Sequence, residues 1–230
     1  EEAMEIIPNW LGFERDMLRH LLANPEDWVG AFRKLPNNLQ LMTVHSLQSV
    51  AFNRTIKARI DAGISLSNPL EGDLVGRVDE NGQLETTSMV AVEKRTLNRI
   101  SRNCILGRLV VTGQLPGASV IRPEGRSGEI EQSVLEEMGL SETTWQVERI
   151  GRLTTKGTRR PLVTTFSEFL YEPVAIAGGE TMGEKWNGGV KEGDLWHPEG
   201  ACIRFRFTLP SGSYATTLLR EFMRTPLHQL

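Results

Sequence analysis

Apolar positions recur at helical spacing through the first third of the chain. Between Asn9 and Leu22 the residues Trp10, Phe13, Met17 and Leu21 fall three and four apart, which predicts an amphipathic helix. Asn24 and Pro25, followed by Glu26 and Asp27, read as an N-cap, a first-turn proline and an acidic first turn. The short helix so started buries Trp28 and Phe32, with Leu35 at its end, and stops before Pro36. A third helix is predicted from near Asn38 to Ala62, with Gly63 taking the left-handed position beyond it. Three helices with short breaks make a helical lobe.

From Gly72 the period shortens. Leu74 to Val78, an Asp79-Glu80-Asn81-Gly82 turn and Leu84 to Val92 predict a hairpin. A basic helix over about Lys94 to Arg102 leads into a strand from Ile105 to Val111. Glu129 to Met138 predicts a helix closed by Gly139, and Trp145 to Leu153 a strand. Seven glycines between 178 and 200 mark a long loop joining strands, and without a Gly-Lys-Ser/Thr ending it is no P-loop. Cys202 to Leu209 alternates cleanly: Ile203, Phe205, Phe207 and Leu209 on one face, Arg204, Arg206 and Thr208 on the other. Ser213 is placed to cap a last helix from Tyr214 to about Arg224. The fold class is α+β.

Composition narrows the function. Apolar residues at 39% and charged residues at 24% describe an ordinary globular chain, and at 230 residues it can hold one large or two small domains. No apolar run spans a membrane. Cys104 and Cys202 lie too far apart for a disulfide framework or metal knuckle, and read as reduced and intracellular, in the cytoplasm. Cys104, beside Asn103, reads as a small buried hydrophobe rather than an activated thiol. His20, His45, His197 and His228 are scattered, so a metal site is not expected. No GxSxG motif organises a Ser/His/Asp set. The net charge of −3 is unevenly spread: −5 over residues 1–90, +4 over 91–160 and −2 over 161–230. A basic middle on an acidic body is compatible with an RNA-facing patch, as it is with an uneven solvated surface. The opening Glu1-Glu2-Ala3-Met4 has the look of an internal start.

Three groups of residues carry candidate chemistry. His45, Gln48, Ser49 and Asn53 share one helix face beside Phe52, either as a solvated stripe or as a face that hydrogen-bonds a backbone or base. Thr154-Thr155-Lys156-Gly157-Thr158-Arg159-Arg160-Pro161 sets three cations and three hydroxyls around a glycine. It reads as a phosphate grip or as a solvated basic loop. Ser213, Thr217, Arg220 and Arg224 form a polar face on the last helix, opposite Ala215, Leu218 and Phe222.

Five blocks then converge on one family. His45-Ser46-Leu47-Gln48-Ser49-Val50-Ala51-Phe52-Asn53 resembles the HxxQSxxFN segment of the TruD family of tRNA pseudouridine synthases. Thr112-Gly113-Gln114-Leu115-Pro116-Gly117, Gly128-Glu129-Ile130-Glu131 and Lys156-Gly157-Thr158-Arg159-Arg160 match in the same order. The stretch from Phe207 through Pro210-Ser211-Gly212-Ser213-Tyr214 to Leu219-Arg220-Glu221 is similar to the family's C-terminal signature. The helical front is most like the archaeal branch. The resemblance implies isomerisation of a uridine in RNA, typically position 13 of tRNA, to pseudouridine, without cofactor or metal. The base is flipped out, the glycosidic bond is broken with help from an aspartate, and the uracil is rejoined through C5.

Carried onto this sequence, the resemblance makes Arg220 the partner of the catalytic aspartate and Leu219 the aliphatic residue near the uracil. It makes Lys156, Arg159 and Arg160 RNA-backbone contacts, and gives His45, Gln48 and Asn53 an RNA-facing or a packing role. It divides the chain into a helical lobe with a TruD-type insertion domain over residues 1–163 and a C-terminal part of the catalytic domain over 164–230. The family's Gly-Thr-Lys-Asp motif, which holds the aspartate, and its Asn-x-Phe-Gly-x-Gln segment are both missing from these residues. The expectation is a portion of the enzyme whose aspartate lies upstream, inactive alone. The competing reading is a non-catalytic RNA-binding module of the same fold, and a weaker third is a purely structural partner.

Overall fold

The computed structural model describes residues 2–143, 145–174 and 202–223. Two compact units result: residues up to Asp79 with Leu84–Val163, and Glu80–Gln83 with the described residues from Thr164 onward.

The first unit opens with helices α1 (Glu2–Ile6), α2 (Gly12–Ala23), α3 (Trp28–Phe32) and α4 (Asn37–Asp61). The helical period of the front is real, but its apolar stripe is not buried: no residue of α2 is buried, Phe13 is half exposed, and Trp10 lies before the helix in solvent. Asn24 is not the predicted N-cap. It closes α2, its N–H donating to the His20 carbonyl, while Asp27 caps α3 by accepting from Gly30 N at 2.9 Å. Trp28 remains largely exposed. The long helix ends as the sequence predicts, on Ala62 with Gly63 at φ +68°, the conformation only glycine takes without strain.

A four-stranded antiparallel sheet follows, in the order β2-β1-β3-β4, built from β1 (Leu74–Arg77), β2 (Val90–Ala91), β3 (Leu109–Leu115) and β4 (Thr158–Pro161). The expected hairpin survives as β1, a lone bridge between Val78 and Leu84, and the two residues of β2. Helix α5 (Leu97–Ile105) starts and ends three residues later than predicted, which moves the next strand to Leu109. Helix α6 (Gly125–Glu137) starts four residues earlier than expected and closes, as expected, before Gly139 at φ +67°. Phe52 of α4, Val75, Val111, Ile100 of α5, Val92 and Leu162 form the core. Beneath it, Arg59 Nη1 donates to Asp73 Oδ1 at 2.7 Å and to Ser127 Oγ at 2.8 Å, tying α4, β1 and α6 together through a buried ion pair.

The predicted strand from Trp145 to Leu153 is instead a 3-10 segment, Glu148–Leu153. Trp145 sits at φ +59°, outside the strand region, and the segment is two short 3-10 turns kinked at Ile150 (φ −136°, ψ 73°), with Ile150 and Leu153 buried. The strand comes later, where the sequence reads as a basic loop: Thr158–Pro161 pairs with β3, Arg159 opposite Gln114 and Arg160 opposite Gly113.

The second unit pairs β5 (Ser167–Val174) with β6 (Cys202–Thr208) antiparallel and adds α7 (Ala215–Met223). The alternation read along β6 has its physical outcome in an aromatic cluster: the Phe169 ring lies 5.9 Å from Phe205, 6.5 Å from Phe207 and 5.1 Å from Phe222 of α7. At the start of α7 the first carbonyl engaged is that of Tyr214, and Ser213 Oγ lies 3.2 Å from Thr164 Oγ1. The glycine-rich stretch 178–200, Arg224, His197 and His228 fall outside the described residues.

Candidate functional site

Four of the five sequence blocks meet in the first unit. Gln48, turned inward from α4 and buried, donates through Nε2 to the Pro116 carbonyl at 2.7 Å and to Thr155 Oγ1 at 3.1 Å. Pro116 leads into Gly117, which crosses Gly157 so closely that a Cβ on either would strike the other's backbone. Ala118 N donates to the Thr155 carbonyl and Ser119 N to the Lys156 carbonyl, both at 3.0 Å. The segment before β4 is thus clamped along its backbone and holds the exposed Lys156 side chain out to solvent.

Arg159 does something other than grip phosphate. Alternation in β4 turns it inward, and it is 4% exposed. Its Nη2 donates to Glu131 Oε1 at 2.6 Å and to the Thr112 carbonyl at 2.7 Å. Nη1 donates to Glu131 Oε2 at 3.2 Å and to the Ile121 carbonyl at 2.9 Å, and Nε to Thr112 Oγ1 at 2.8 Å. Glu131 is pulled two ways: burial pushes its carboxyl up, while the Arg159 hydrogen bonds and charge, helped by Gln114 N–H, pull it down. Burial prevails. Arg160, on the opposite face of the strand, is half-buried with its guanidinium 5.3 Å from the Phe52 ring centroid, a cation–π placement.

The face read on α4 therefore splits. Gln48 points in and stitches the helix to two loops, whereas His45 and Asn53 are exposed. A polar stripe in sequence cannot distinguish the two, because a buried amide that satisfies a loop carbonyl looks like one that waits for a ligand. Missed altogether were Glu131 as the partner of Arg159 and the pair of Arg59 with Asp73, whose acidic and basic residues lie far apart in sequence or on different elements. Cys104 is half-buried; burial, then the nearby Asp73 charge, raises its thiol, consistent with an inert side chain.

In the second unit Leu219 and Arg220 lie on α7, both half-buried. Leu219 is one turn before Phe222 and shares its side of the helix; Arg220, two positions before Phe222, faces away from it. Among the described residues Arg220 has no ion-pair partner. Its guanidinium can receive a carboxylate, hold it ionised and fix its orientation. Among the described residues no cluster of His, Cys, Asp and Glu is arranged to hold a metal ion, and no helix is long and apolar enough to cross a membrane.

Helices packed on a small antiparallel sheet, with a second unit ending in a strand, a Pro-Ser-Gly turn and an arginine-bearing helix, define a class of chain with known relatives. The family described as tRNA pseudouridine synthase D (TruD) matches residues 1–222, and the chain belongs to it. A Methanosarcina mazei protein named "Probable tRNA pseudouridine synthase D" is 38% identical over 224 residues, covering 97% of this chain and 47% of its own length. A relative of the same name from Methanopyrus kandleri is 30% identical over 223 residues, covering 97% of this chain and 42% of its own length. The crystal structure of a Methanosarcina mazei protein described as "Putative tRNA pseudouridine synthase D (TruD)" matches all of this chain and 48% of that one, at 36% identity and a TM-score of 0.78. The chain spans about half the length of the curated relatives it matches.

Proposed function

We propose that this chain is part of a tRNA pseudouridine synthase, which converts a uridine of tRNA, position 13 in our reading, to pseudouridine. The observation that carries this reading is the family match over residues 1–222. In our assignment residues 1–163 are the helical lobe and insertion domain, and residues 164–230 are a C-terminal part of the catalytic domain. The reaction is an isomerisation: the bond from C1′ to N1 breaks, a bond from C1′ to C5 forms, and the C5 proton is released while N1 gains one. It needs no external oxidant or cofactor.

The aspartate of the Gly-Thr-Lys-Asp motif is absent from these 230 residues, so in this reading the family segment that carries it supplies it. Arg220 pairs with that carboxylate and keeps it ionised and aimed at the sugar, while Leu219 packs near the flipped uracil. Lys156 and Arg160 are assigned as RNA contacts, with His45 and Asn53 on the same assignment by their exposure. Support for Arg220 comes from its place on α7 and from its lack of an ion-pair partner among the described residues. The protein acts in the cytoplasm in this reading, where tRNA is available.

The test joins the chain to an aspartate-bearing segment of a family member and follows tritium release from C5-labelled uridine in tRNA. Arg220→Ala is expected to lower turnover by at least tenfold while RNA affinity changes by less than threefold. Normal turnover in that variant overturns the role of Arg220. Tight tRNA binding with no tritium release, in the unaltered joined protein, favours a non-catalytic RNA-binding module.

A further inference from the structure

We propose that α5 and the turn after it form a second RNA-backbone contact surface, separate from the motif residues of β4. It rests on the tRNA reading above and extends it. The sequence from Lys94 to Pro123 contains no acidic residue and six basic ones, Lys94, Arg95, Arg99, Arg102, Arg108 and Arg122. The fold concentrates most of them. Helix α5 buries Ile100 and sets Leu97 and Cys104 against the core, which leaves Arg99 and Arg102 exposed at i and i+3, with Arg95 exposed in the turn before the helix. Gly107, at φ +68°, turns the chain so that Arg108 N donates to the Asn103 carbonyl at 2.9 Å, which seats Arg108 at the C-terminal end of the same helix. Arg77, opposite Leu109 on the neighbouring strand, is exposed beside it.

This surface gathers several unpaired cations, although among the described residues of the first unit Lys34, Arg54, Arg149 and Lys156 likewise carry no ion pair. Elsewhere in the first unit Arg19 pairs with Asp16, Lys57 with Asp61 and Arg126 with Glu129. Here only Arg95 is engaged, by Glu93. Among the described residues Arg77, Lys94, Arg99, Arg102 and Arg108 carry no ion pair. Like charges one helical turn apart repel, and guanidinium forks that carry no ion pair are matched by a polyanion with phosphate oxygens. Arginine outnumbers lysine four to one among these five, and Asn98 adds an exposed amide; both favour hydrogen-bonded phosphate and sugar over the point charges that suffice at an anionic membrane.

The experiment titrates the 230-residue chain with a tRNA transcript over a range of salt, comparing the unaltered chain, Arg99→Ala with Arg102→Ala, and a control, Arg19→Ala with Arg126→Ala. Both variants lose two charges, so bulk charge is held equal. The α5 variant is expected to lose about two units of salt slope, one per phosphate contact, with thermal stability unchanged. The control is expected to keep the full slope. An α5 variant with the native slope, or a control that flattens as much, overturns the surface. Binding to vesicles of phosphatidylserine that exceeds binding to tRNA would assign it to a membrane instead, and overturn it. The two readings fail separately: a native slope in the α5 variant with tritium release intact in the joined protein removes only this surface. A lost slope without tritium release removes only the catalytic function.

Discussion

Arg159→Ala separates the two jobs open to that residue. In the fold, Arg159 and Glu131 are 3% and 6% exposed at the side chain, and the guanidinium makes five hydrogen bonds. Truncation leaves Glu131 with the 3.2 Å bond from Gln114 N–H and strips a donor from the Thr112 and Ile121 carbonyls. Removing one member of a buried pair costs about 3–5 kcal/mol, because the remaining charge stays buried. At about 2–4 °C per kcal/mol for a chain of this length, the melting temperature falls by roughly 6–20 °C in a calorimetric or circular-dichroism scan.

The pH dependence of that loss follows from Glu131. Burial holds its carboxyl above the ordinary 4.5, against the pull of Arg159. A carboxyl raised in the folded state contributes stability that is complete below its unfolded value and lost as pH rises through the folded one. Without Arg159 the folded value climbs further, so the deficit relative to the native chain grows as pH rises above the ordinary carboxyl value of 4.5. Arg159→Met combined with Glu131→Leu is expected to recover most of the lost stability, since no charge is left behind. A single variant that melts with the native chain and only weakens RNA binding would refute the buried pair and restore the phosphate contact.

Further predictions use the same contrasts. Gln48→Ala should cost about 1–3 kcal/mol in denaturant unfolding, because the Pro116 carbonyl loses its buried donor, whereas the exposed Asn53→Ala should stay within about 0.5 kcal/mol. A fall in tRNA affinity for Asn53→Ala is then a contact effect. Gly117→Ala should destabilise by about 1–3 kcal/mol and speed proteolysis between Thr154 and Thr158, since its Cβ meets the Gly157 backbone. Cys104 should alkylate with iodoacetamide more slowly than a free thiol at pH 7.5, and its rate should rise with a midpoint above the ordinary thiol value of 9.0.

The sequence made legible what local physics decides. Helix α4, its glycine stop at Gly63 and the alternation of β6 need only period and end signals, and the structure shows them within a residue or two. Trp10, Phe13 and Trp28 show the limit of a period: it tells which residues share a face, not whether anything covers that face. Trp145 to Leu153 failed because apolar residues spaced among polar ones, Trp145, Val147, Ile150 and Leu153, fit a strand and 3-10 turns alike until Trp145's positive φ is known. The candidate site was legible as a set of motifs and misleading in its roles. Gln114, Glu131 and Arg159 hold one another while Gln48 holds the Pro116 carbonyl and Thr155, and polar residues engaged in that way have the composition of a binding surface.

The central proposal is that these residues belong to a tRNA pseudouridine synthase. The most direct measurement is a primer-extension map of carbodiimide-treated tRNA after incubation with the chain joined to the family's aspartate segment. The account predicts one new stop, at position 13, absent with the 230-residue chain alone and strongly reduced by Arg220→Ala. A tRNA bound with salt-dependent affinity yet carrying no new stop would contradict it.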